Sequence, residues 1–387
     1  MLAVVLSGGG ARGAYEVGVW KALRKLKIKY QIVTGTSIGA INGFMMVQND
    51  FYKCIKFWKK VNYNTLYDGF DEINNDQEMY LTYFSKLIDG GIDTSKIAKI
   101  IDDNYNPQKL YKSKINYGVV AYNLVEHKAI YATKDKIGKD ELKQYILASA
   151  TMFPFFKPTK INKDILIDGG YTDNLPINLA IDMGANEIIA IDLRAIGINQ
   201  KIKNNNVNII KIEPNNQLDS VFKFDEKAIN HMIILGYNDT LKKFNKYEGK
   251  IYTFKKGTIM KFNFRYKNKI NNIKNIVGYD NDFDDDLIIK TIVYGLEMFN
   301  CDIEKIYDLK LVNKILLEKM EDVDEIEFDK FDINEIKKIF DDTIITKYIY
   351  LKIKKCDKIN KIFSFFSKEV ALAIYLNAVR WTLWKIF

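Results

Sequence analysis

Histidine and cysteine are scarce in this chain. Its 387 residues include two histidines, His127 and His231, and three cysteines, Cys54, Cys301 and Cys356. The cysteines are scattered and form no CxxC pair, which fits a reducing compartment and argues against a disulfide framework or a zinc site. With two imidazoles in the whole sequence, few positions can supply a histidine base.

Long apolar runs are also missing. No stretch reaches the roughly 18 apolar residues that a membrane-spanning helix needs. The apolar run at the N-terminus is short and has no basic region before it, so it does not follow the pattern of a signal peptide. We therefore expect a cytoplasmic protein that has neither a signal peptide nor a transmembrane helix and can still contact a membrane peripherally.

The composition is that of a globular protein with a modest positive charge. Hydrophobic residues make up 48% and aromatic residues 13%, enough for a sizeable core, and the length suffices for two domains. The formal net charge is +9, from 58 Lys and Arg against 49 Asp and Glu. This surplus fits a lysine-rich solvated surface or contact with an anionic phospholipid surface. We expect no nucleic-acid partner, and the sequence indicates no oligomeric state.

Two kinds of pattern divide the chain. Short apolar runs alternate with helical patterns up to about residue 250, which predicts an α/β fold with a mainly parallel central sheet flanked by helices. Within this part, residues 50–113 are mostly helical and polar, and we expect them to contribute a lid or an acyl channel. Helical patterns then follow one another, so we predict a first domain at 1–250 and a helical C-terminal region at 251–387.

A glycine-rich loop follows the first apolar run. It is the segment SGGGARG, which contains Gly8, Gly9, Gly10, Arg12 and Gly13. Successive glycines let backbone N–H groups approach a ligand closely, and a following helix N-terminus favours negative charge. The Walker pattern GxxxxGK[ST] is absent, and so is the acidic residue that a dinucleotide-binding loop needs about 20 positions further on. Alone, the loop fits a phosphate site, an oxyanion site or a tight turn.

The pentapeptide GTSIG places Ser37 between Gly35 and Gly39, with Ile38 directly after the serine. It follows a strand-like run and precedes a helical pattern, which is the context of a nucleophile elbow. The flanking glycines allow a sharp turn that exposes the Ser37 hydroxyl, and the Ile38 N–H can then add to an oxyanion site. The alternative is an ordinary strand-to-helix turn in which Ser37 caps the helix.

Asp168, Gly169 and Gly170 form a DGG motif at the end of the strand-like run ILI. Open α/β sheets place their sites at the carboxyl ends of strands, so Asp168 is a candidate base, although turn aspartates are also frequent. Asp173 lies in the loop that follows and is the second choice. Together the three motifs supply a nucleophile, a base and oxyanion donors, whereas phosphate binding leaves GTSIG without a role.

In this order and context, GGGARG, GTSIG and DGG resemble the motifs of the patatin-like phospholipases. ASATMFPFFKP before the DGG motif and DNLP after it add to the resemblance, which covers roughly residues 1–245. It implies a patatin-like three-layer α/β/α fold and makes residues 1–250 the catalytic domain. It also implies a Ser–Asp dyad without histidine that hydrolyses acyl esters in phospholipids or lysophospholipids, with no cofactor and no metal.

The resemblance assigns a role to each matching position. Ser37 is the nucleophile and Asp168 the base. The oxyanion loop and its flanks are formed by Gly8, Gly9, Gly10, Arg12, Gly13 and Ile38. Two other functions stay open: acyl transfer to an alcohol or thiol by the same dyad, and phosphate or nucleotide binding by the Gly8–Gly13 loop.

A Ser–Asp–His triad is the rival mechanism. Ser37, Asp168 and His231 follow the chain order of the α/β-hydrolases. However, that fold places several strands before its nucleophile, and here two strand-like runs precede Ser37. His231 also lies in a helical pattern, where histidine is more often structural. We therefore expect the dyad.

The C-terminal tail, residues 361–387, is strongly apolar and aromatic and includes Trp381 and Trp384. Lys368 and Arg380 give it the mixed aromatic and basic content of an interfacial helix. A helix buried in a core or in an oligomer interface has a similar composition, so both interpretations stay open.

Overall fold

The computed structural model describes most of the chain. The described residues are 1–66, 76–88, 91–204, 206–277, 279, 284–323, 341–355 and 366–383. They form two units, Met1–Lys243 and Phe244–Phe387.

The first unit is built on an eight-stranded sheet. Its strands are β1 (Leu2–Leu6), β2 (Ile32–Thr36), β3 (Asn116–Asn123), β4 (Lys128–Thr133), β5 (Thr159–Ile161), β6 (Asp164–Asp168), β7 (Glu187–Ile191) and β8 (Asn208–Ile212). The order is β5-β6-β3-β2-β1-β7-β8, and β4 also pairs with β3. Neighbours among β3, β2, β1, β7 and β8 are parallel, while β4, β5 and β6 pair antiparallel. The predicted α/β class and mainly parallel sheet are confirmed.

Helices cover this sheet. They are α1 (Gly13–Lys25), α2 (Ile38–Val47), α3 (Phe51–Lys60), α4 (Tyr63–Leu66), α5 (Asp76–Ile88), α6 (Ser95–Asn104), α7 (Pro107–Lys112), α8 (Lys139–Ser149), α9 (Ile177–Asp182) and α10 (Glu226–Lys243).

The alternation of side chains along β1 explains why helices are needed on both faces. Ala3 and Val5 pack in one cluster with Ala180 of α9. On the other face, Leu6 lies beside Gly43 of α2. Successive strand residues point to opposite faces, so a strand that is apolar throughout must be covered twice. The short apolar runs of the sequence therefore produce a three-layer α/β/α arrangement.

The second unit is mainly helical, as predicted, and also contains a small sheet. Its helices are α11 (Thr258–Val277), α12 (Asp285–Met298), α13 (Leu309–Glu321), α14 (Asp342–Lys354) and α15 (Ser367–Leu383). Three short strands, β9 (Tyr247–Glu248), β10 (Thr253–Lys255) and β11 (Ile306–Tyr307), form a sheet in the order β11-β10-β9.

Helix α15 forms the centre of the core of the second unit. Residues 370–379 are all buried, and most of them pack against α11, α12, α13 and α14. For this part of the tail, the core interpretation is therefore confirmed over the interfacial one. Residues 361–365 and Trp384 lie outside the described residues, as does the side chain of Trp381. Among the described helices, none combines the length and the apolar character needed to cross a membrane.

Because α15 is buried, shortening one of its core side chains should lower the stability of the second unit substantially. Leu372 is fully buried, so Leu372→Ala removes buried methyl groups and leaves a cavity. We expect the free energy of unfolding of the second unit to fall by about 2–5 kcal/mol. The matched control is Phe264→Ala on α11, where the side chain is 96% exposed and the expected change is within about 0.5 kcal/mol. Urea unfolding followed by circular dichroism measures both; equal small changes would contradict the core position of α15.

Candidate active site

Ser37 occupies a sharp turn between β2 and α2. Its backbone has φ 56° and ψ −126°, a conformation that non-glycine residues rarely adopt and that is found at nucleophile elbows. A Cβ on Gly39 would lie 2.7 Å from the Leu6 carbonyl oxygen, so this turn requires glycine there. The Ser37 N–H donates to the Ser149 hydroxyl at the end of α8, at 2.9 Å. Ser149 was not identified from the sequence, because no local pattern links α8 to the turn.

Asp168, the last residue of β6, lies beside Ser37. The Gly170 N–H donates to Asp168 Oδ1 at 2.7 Å. Burial raises the pKa of Asp168 to about 6, while the neighbouring Ser37 hydroxyl and the Gly170 N–H act in the opposite direction and lower it. A carboxylate that stays ionised near neutral pH and has a raised proton affinity is better suited to accept a proton than a free Asp.

Strand β6, which ends at Asp168, does not run parallel to its neighbour, as we expected for a strand of a parallel sheet. We expected Asp168 at the carboxyl edge of a parallel sheet, and it is at that edge. However, β6 runs antiparallel to β3 and overlaps only its last residues, with Asp168 opposite Ala121. The neighbouring pair is Val120 and Thr36, which precedes Ser37. The register of this overlap therefore brings the carboxylate level with the serine.

The glycine loop lies against the serine. A Cβ on Gly8 would be 3.1 Å from the Ser37 Cβ. The Gly8 N–H already donates to the Asn174 carbonyl oxygen at 3.1 Å. Within the described part of the chain, no group accepts a hydrogen bond from the N–H of Gly9 or Gly10. Of the three glycines, the second and third therefore have N–H groups available for a ligand.

Two further backbone donors begin α2. The first N–H groups of a helix have no intrahelical partner. Accordingly, the N–H groups of Ile38 and Gly39 have no acceptor among the described residues, whereas Ala40 and Ile41 donate to the Ser37 carbonyl oxygen. The helix dipole adds positive potential at this end. The start of α2, directly after Ser37, therefore offers two N–H groups without an acceptor among the described residues.

Arg12 binds backbone carbonyl groups. Its Nε donates to the Asp219 oxygen at 2.8 Å, and a terminal nitrogen donates to the oxygens of Arg194 at 3.0 Å and Leu193 at 3.4 Å. Gly13, the next residue, begins α1. Arg12 therefore braces the glycine loop against two neighbouring loops, so the guanidinium is committed to the protein itself.

The two histidines and Asp173 lie in other settings. Burial, Ser37 and Gly170 set the pKa of Asp168, and no histidine is among these groups. His127 lies in the turn between β3 and β4, and His231 is on α10. Asp173 accepts from the Tyr131 hydroxyl at 3.3 Å, and burial raises its pKa to about 6 as well. The structure thus pairs Ser37 with Asp168.

A buried polar network supports the helices behind the site. The Asn42 amide of α2 donates to Glu16 Oε2 at 2.8 Å and to the Gly13 oxygen at 3.0 Å. The Trp58 indole of α3 donates to the Asn42 oxygen at 2.9 Å. Burial raises the pKa of Glu16 well above its usual range. The network joins the first turn of α1 to α2 and α3 behind the site.

The site therefore combines a serine at a strained turn, a buried carboxylate beside it and backbone N–H groups without an acceptor among the described residues. Among the described residues there is no group of three or more His, Cys, Asp or Glu side chains placed to hold a metal ion. Residues 4–181 match the patatin-like phospholipase family model, so the chain contains a domain of that family.

Known relatives match half of this chain. Patatin-like phospholipase domain-containing protein 7 of Rattus norvegicus is 31% identical over 196 residues, which are 50% of this chain and 13% of that protein. Lysophospholipase NTE1 of Mycosarcoma maydis is 26% identical over 200 residues, covering 50% of this chain and 10% of that protein. The matched part therefore spans a small fraction of these long relatives.

Two solved structures also resemble the chain. VipD of Legionella pneumophila aligns with a TM-score of 0.42 and 14% identity, covering 98% of this chain and 91% of that one. The type III effector protein ExoU aligns with a TM-score of 0.33 and 10% identity, covering 96% and 76%.

Proposed function

We propose that this protein is a lipid acyl hydrolase that cleaves carboxylic ester bonds of phospholipids or lysophospholipids. The position of the Ser37 hydroxyl beside the buried Asp168 carboxylate, whose pKa it lowers, carries the proposal. The patatin-like phospholipase domain supports it, and so do relatives named as phospholipases and lysophospholipases.

In the first half of the proposed reaction, Asp168 takes the proton of the Ser37 hydroxyl while Oγ attacks the acyl carbonyl carbon. The carbonyl oxygen becomes negative and is stabilised by the N–H groups of Gly9, Gly10 and Ile38. When the tetrahedral intermediate collapses, the C–O bond to the leaving alcohol breaks and Asp168 returns the proton to that alcohol. The acyl group is then bonded to Ser37.

The oxyanion donors carry much of the rate acceleration in this proposal. A single preorganised donor of this type contributes on the order of 3 kcal/mol to transition-state stabilisation. The raised proton affinity of Asp168 adds to this, since a pKa of about 6 lies closer to the working pH than the value of about 3.9 for a free Asp.

Acyl transfer and phosphate or nucleotide binding are the two alternatives to ester hydrolysis. Acyl transfer uses the same acyl-enzyme and differs in the acceptor of the second half-reaction. Phosphate or nucleotide binding uses the donors of the Gly8–Gly13 loop but gives the Ser37–Asp168 pair no role. We therefore favour acyl-enzyme chemistry.

A covalent probe tests the dyad. We expect a fluorophosphonate to label the wild type and not Ser37→Ala, because the probe reacts with an activated serine. Asp168→Asn is expected to lower kcat/KM on a water-soluble ester by at least about 100-fold. Mass spectrometry of products from defined phospholipids and lysophospholipids then identifies the bond that is cleaved.

His231→Ala and Asp173→Asn are the controls for this experiment. Both are expected to stay within a few-fold of the wild type, since neither side chain is assigned a chemical step. Loss of activity in folded His231→Ala would overturn the dyad, and a wild type that is not labelled would favour a binding protein.

The raised pKa of Asp168 predicts an acidic limb in the pH profile. Asp168 acts as a base when it is ionised, and burial raises its pKa to about 6. Activity, measured as kcat/KM, should therefore fall about tenfold per pH unit below 6 and level off above about 7. Asp173 also has a pKa of about 6, so Asp173→Asn separates the two carboxylates. An inflection that disappears in Asp173→Asn contradicts the assignment to Asp168.

We further propose that the substrate is taken from a lipid surface that contacts α5. Tyr83 of α5 packs against Phe155 and Phe222, with ring centroids 5.8 Å and 4.8 Å away. In the loop before Phe155, the Thr151 carbonyl oxygen accepts a hydrogen bond from the Asp168 N–H. Directly before Phe222, the Val221 carbonyl oxygen accepts a hydrogen bond from the Ala11 N–H. Helix α5 thus packs on the loops that flank both sides of the site.

The outer face of α5 is apolar. Leu81, Phe84 and Ile88 follow helical spacing and are 63%, 62% and 73% exposed. Phe153 and Tyr171, which lie next to the site, are exposed as well. Inserting one such side chain into lipid gains about 1.5–3 kcal/mol. The face is therefore suited to hold the site against a lipid aggregate.

Charge substitution tests this contact. We expect Leu81→Asp with Phe84→Asp to lower co-sedimentation with phosphatidylcholine vesicles at least about tenfold, because two apolar insertions are lost. Hydrolysis of a water-soluble ester should stay within about threefold of the wild type. Val125→Asp, at an exposed apolar position in the β3–β4 turn, is the matched control. Unchanged vesicle binding by the double variant would refute the contact.

A further inference from the structure

Asn174 fills a cradle that three glycines create. A Cβ on Gly8 would lie 2.3 Å from Asn174 Oδ1, and one on Gly170 would lie 3.1 Å from the same oxygen. A Cβ on Gly197 would lie 2.6 Å from the Asn174 Cβ and Cγ. Side chains at these positions would collide with the amide or crowd it. The glycine loop, the DGG turn and the loop at Gly197 are therefore shaped around this one side chain.

The backbone of Asn174 fixes the position of the amide. Its carbonyl oxygen accepts the Gly8 N–H at 3.1 Å, and its N–H donates to the Ile198 oxygen at 2.6 Å. Asn174 thus connects the loop that follows β1 with the loop that follows β7. A side chain held in this way loses little further freedom when it binds something in the site.

The amide itself is uncommitted. Asn174 is 4% exposed, yet no described residue forms a hydrogen bond with its side chain. An unpaired buried amide costs on the order of 1–3 kcal/mol, so such groups are normally paired. Asp173 Oδ1 next to it is sealed from solvent without a partner, whereas neither amide atom of Asn174 is sealed. The Asn174 amide can therefore bind a molecule that enters the site.

The amide oxygen faces both the nucleophile and the base. A Cβ placed on Gly8 would lie 2.3 Å from Asn174 Oδ1 and 3.1 Å from the Ser37 Cβ. A Cβ placed on Gly170 would lie 3.1 Å from Asn174 Oδ1 and 3.1 Å from Asp168 Oδ1. Asn174 Oδ1 thus lies close to two positions, one next to Ser37 and the other next to the Asp168 carboxylate.

We propose that Asn174 positions the water molecule that hydrolyses the acyl-enzyme. The inference rests on the proposed function. Water has two O–H donors: one bonds to Asp168 and the other to Asn174 Oδ1, which leaves a lone pair directed at the acyl carbon on Ser37. A water held by a single acceptor could rotate away from this orientation, so the second acceptor reduces the entropy cost of attack.

The step is balanced in atoms and protons. Asp168 takes one proton of the water as the oxygen bonds to the acyl carbon, and the carbonyl oxygen becomes negative. On collapse, the bond between the acyl carbon and Ser37 Oγ breaks, and Asp168 returns the proton to Oγ. A free fatty acid leaves and the enzyme is restored. Since acylation involves no water, Asn174 acts in the second half-reaction and not in the first.

Asn174→Ala and Asn174→Leu test the inference; Leu fills the cradle without a polar atom. We expect both to be labelled by a fluorophosphonate within about threefold of the wild-type rate. Steady-state turnover of a chromogenic ester should fall about 10- to 100-fold, because the water is no longer oriented. A burst of one product per enzyme and a Ser37 acyl adduct in the intact mass should appear. Added methanol should shift the products further towards the methyl ester than in the wild type.

Asn178→Ala is the matched control. The Asn178 amide donates to the Lys201 oxygen at 2.8 Å, and its oxygen accepts the Lys203 N–H at 2.9 Å, so this asparagine supports the same region outside the site. We expect no burst and an unchanged methanol partition. Labelling and turnover that fall together in both Asn174 variants, or turnover that does not fall, overturn the inference. A wild type that forms no acyl-enzyme overturns the proposed function as well.

Discussion

The close approach of three loops around Gly8 is the constraint on which the site depends. The Gly8 N–H binds the Asn174 carbonyl oxygen, and the space above its Cα is filled by the Asn174 amide and bordered by Ser37. A Cβ at this position would collide with the Asn174 amide at 2.3 Å and crowd the Ser37 Cβ at 3.1 Å, and packed interiors tolerate little displacement. Glycine at this position is therefore what allows the end of β1 to approach the nucleophile elbow.

Buried carboxyl groups serve two different purposes in this domain. Glu16 lies behind the site, where burial raises its pKa well above its usual range and its Oε2 accepts a hydrogen bond from the Asn42 amide. Asp168 keeps two donors, Ser37 and the Gly170 N–H, which moderate the effect of burial and leave its pKa at about 6. In both groups burial is the largest influence on the pKa, and two neighbouring donors oppose it. One group is fit for structure and the other for proton transfer.

The sequence predicted the fold class and the placement of the motifs well because both depend on local patterns. Short apolar runs specify buried strands wherever they occur. An apolar run does not indicate whether its strand pairs parallel or antiparallel, so the antiparallel pairing of β6 could not be inferred from its sequence DILID. The strands of the second unit have two or three residues, too few for any periodicity. Ser149 and Asn174 reach the site through tertiary contacts, which no spacing along the chain encodes.

A dyad with one carboxylate base makes the second half-reaction harder to organise than the first. In acylation, Ser37 is covalently held and needs no further orientation. In deacylation, the nucleophile is a free water, and no imidazole from the described site stands between it and Asp168 to impose a direction. Orientation must then come from another fixed polar group beside the base. We infer that Asn174 meets this requirement, because its backbone is bonded on both sides and its amide oxygen lies close to the Gly8 position next to Ser37 and the Gly170 position next to Asp168. The balance between hydrolysis and acyl transfer would thus depend on one uncharged side chain.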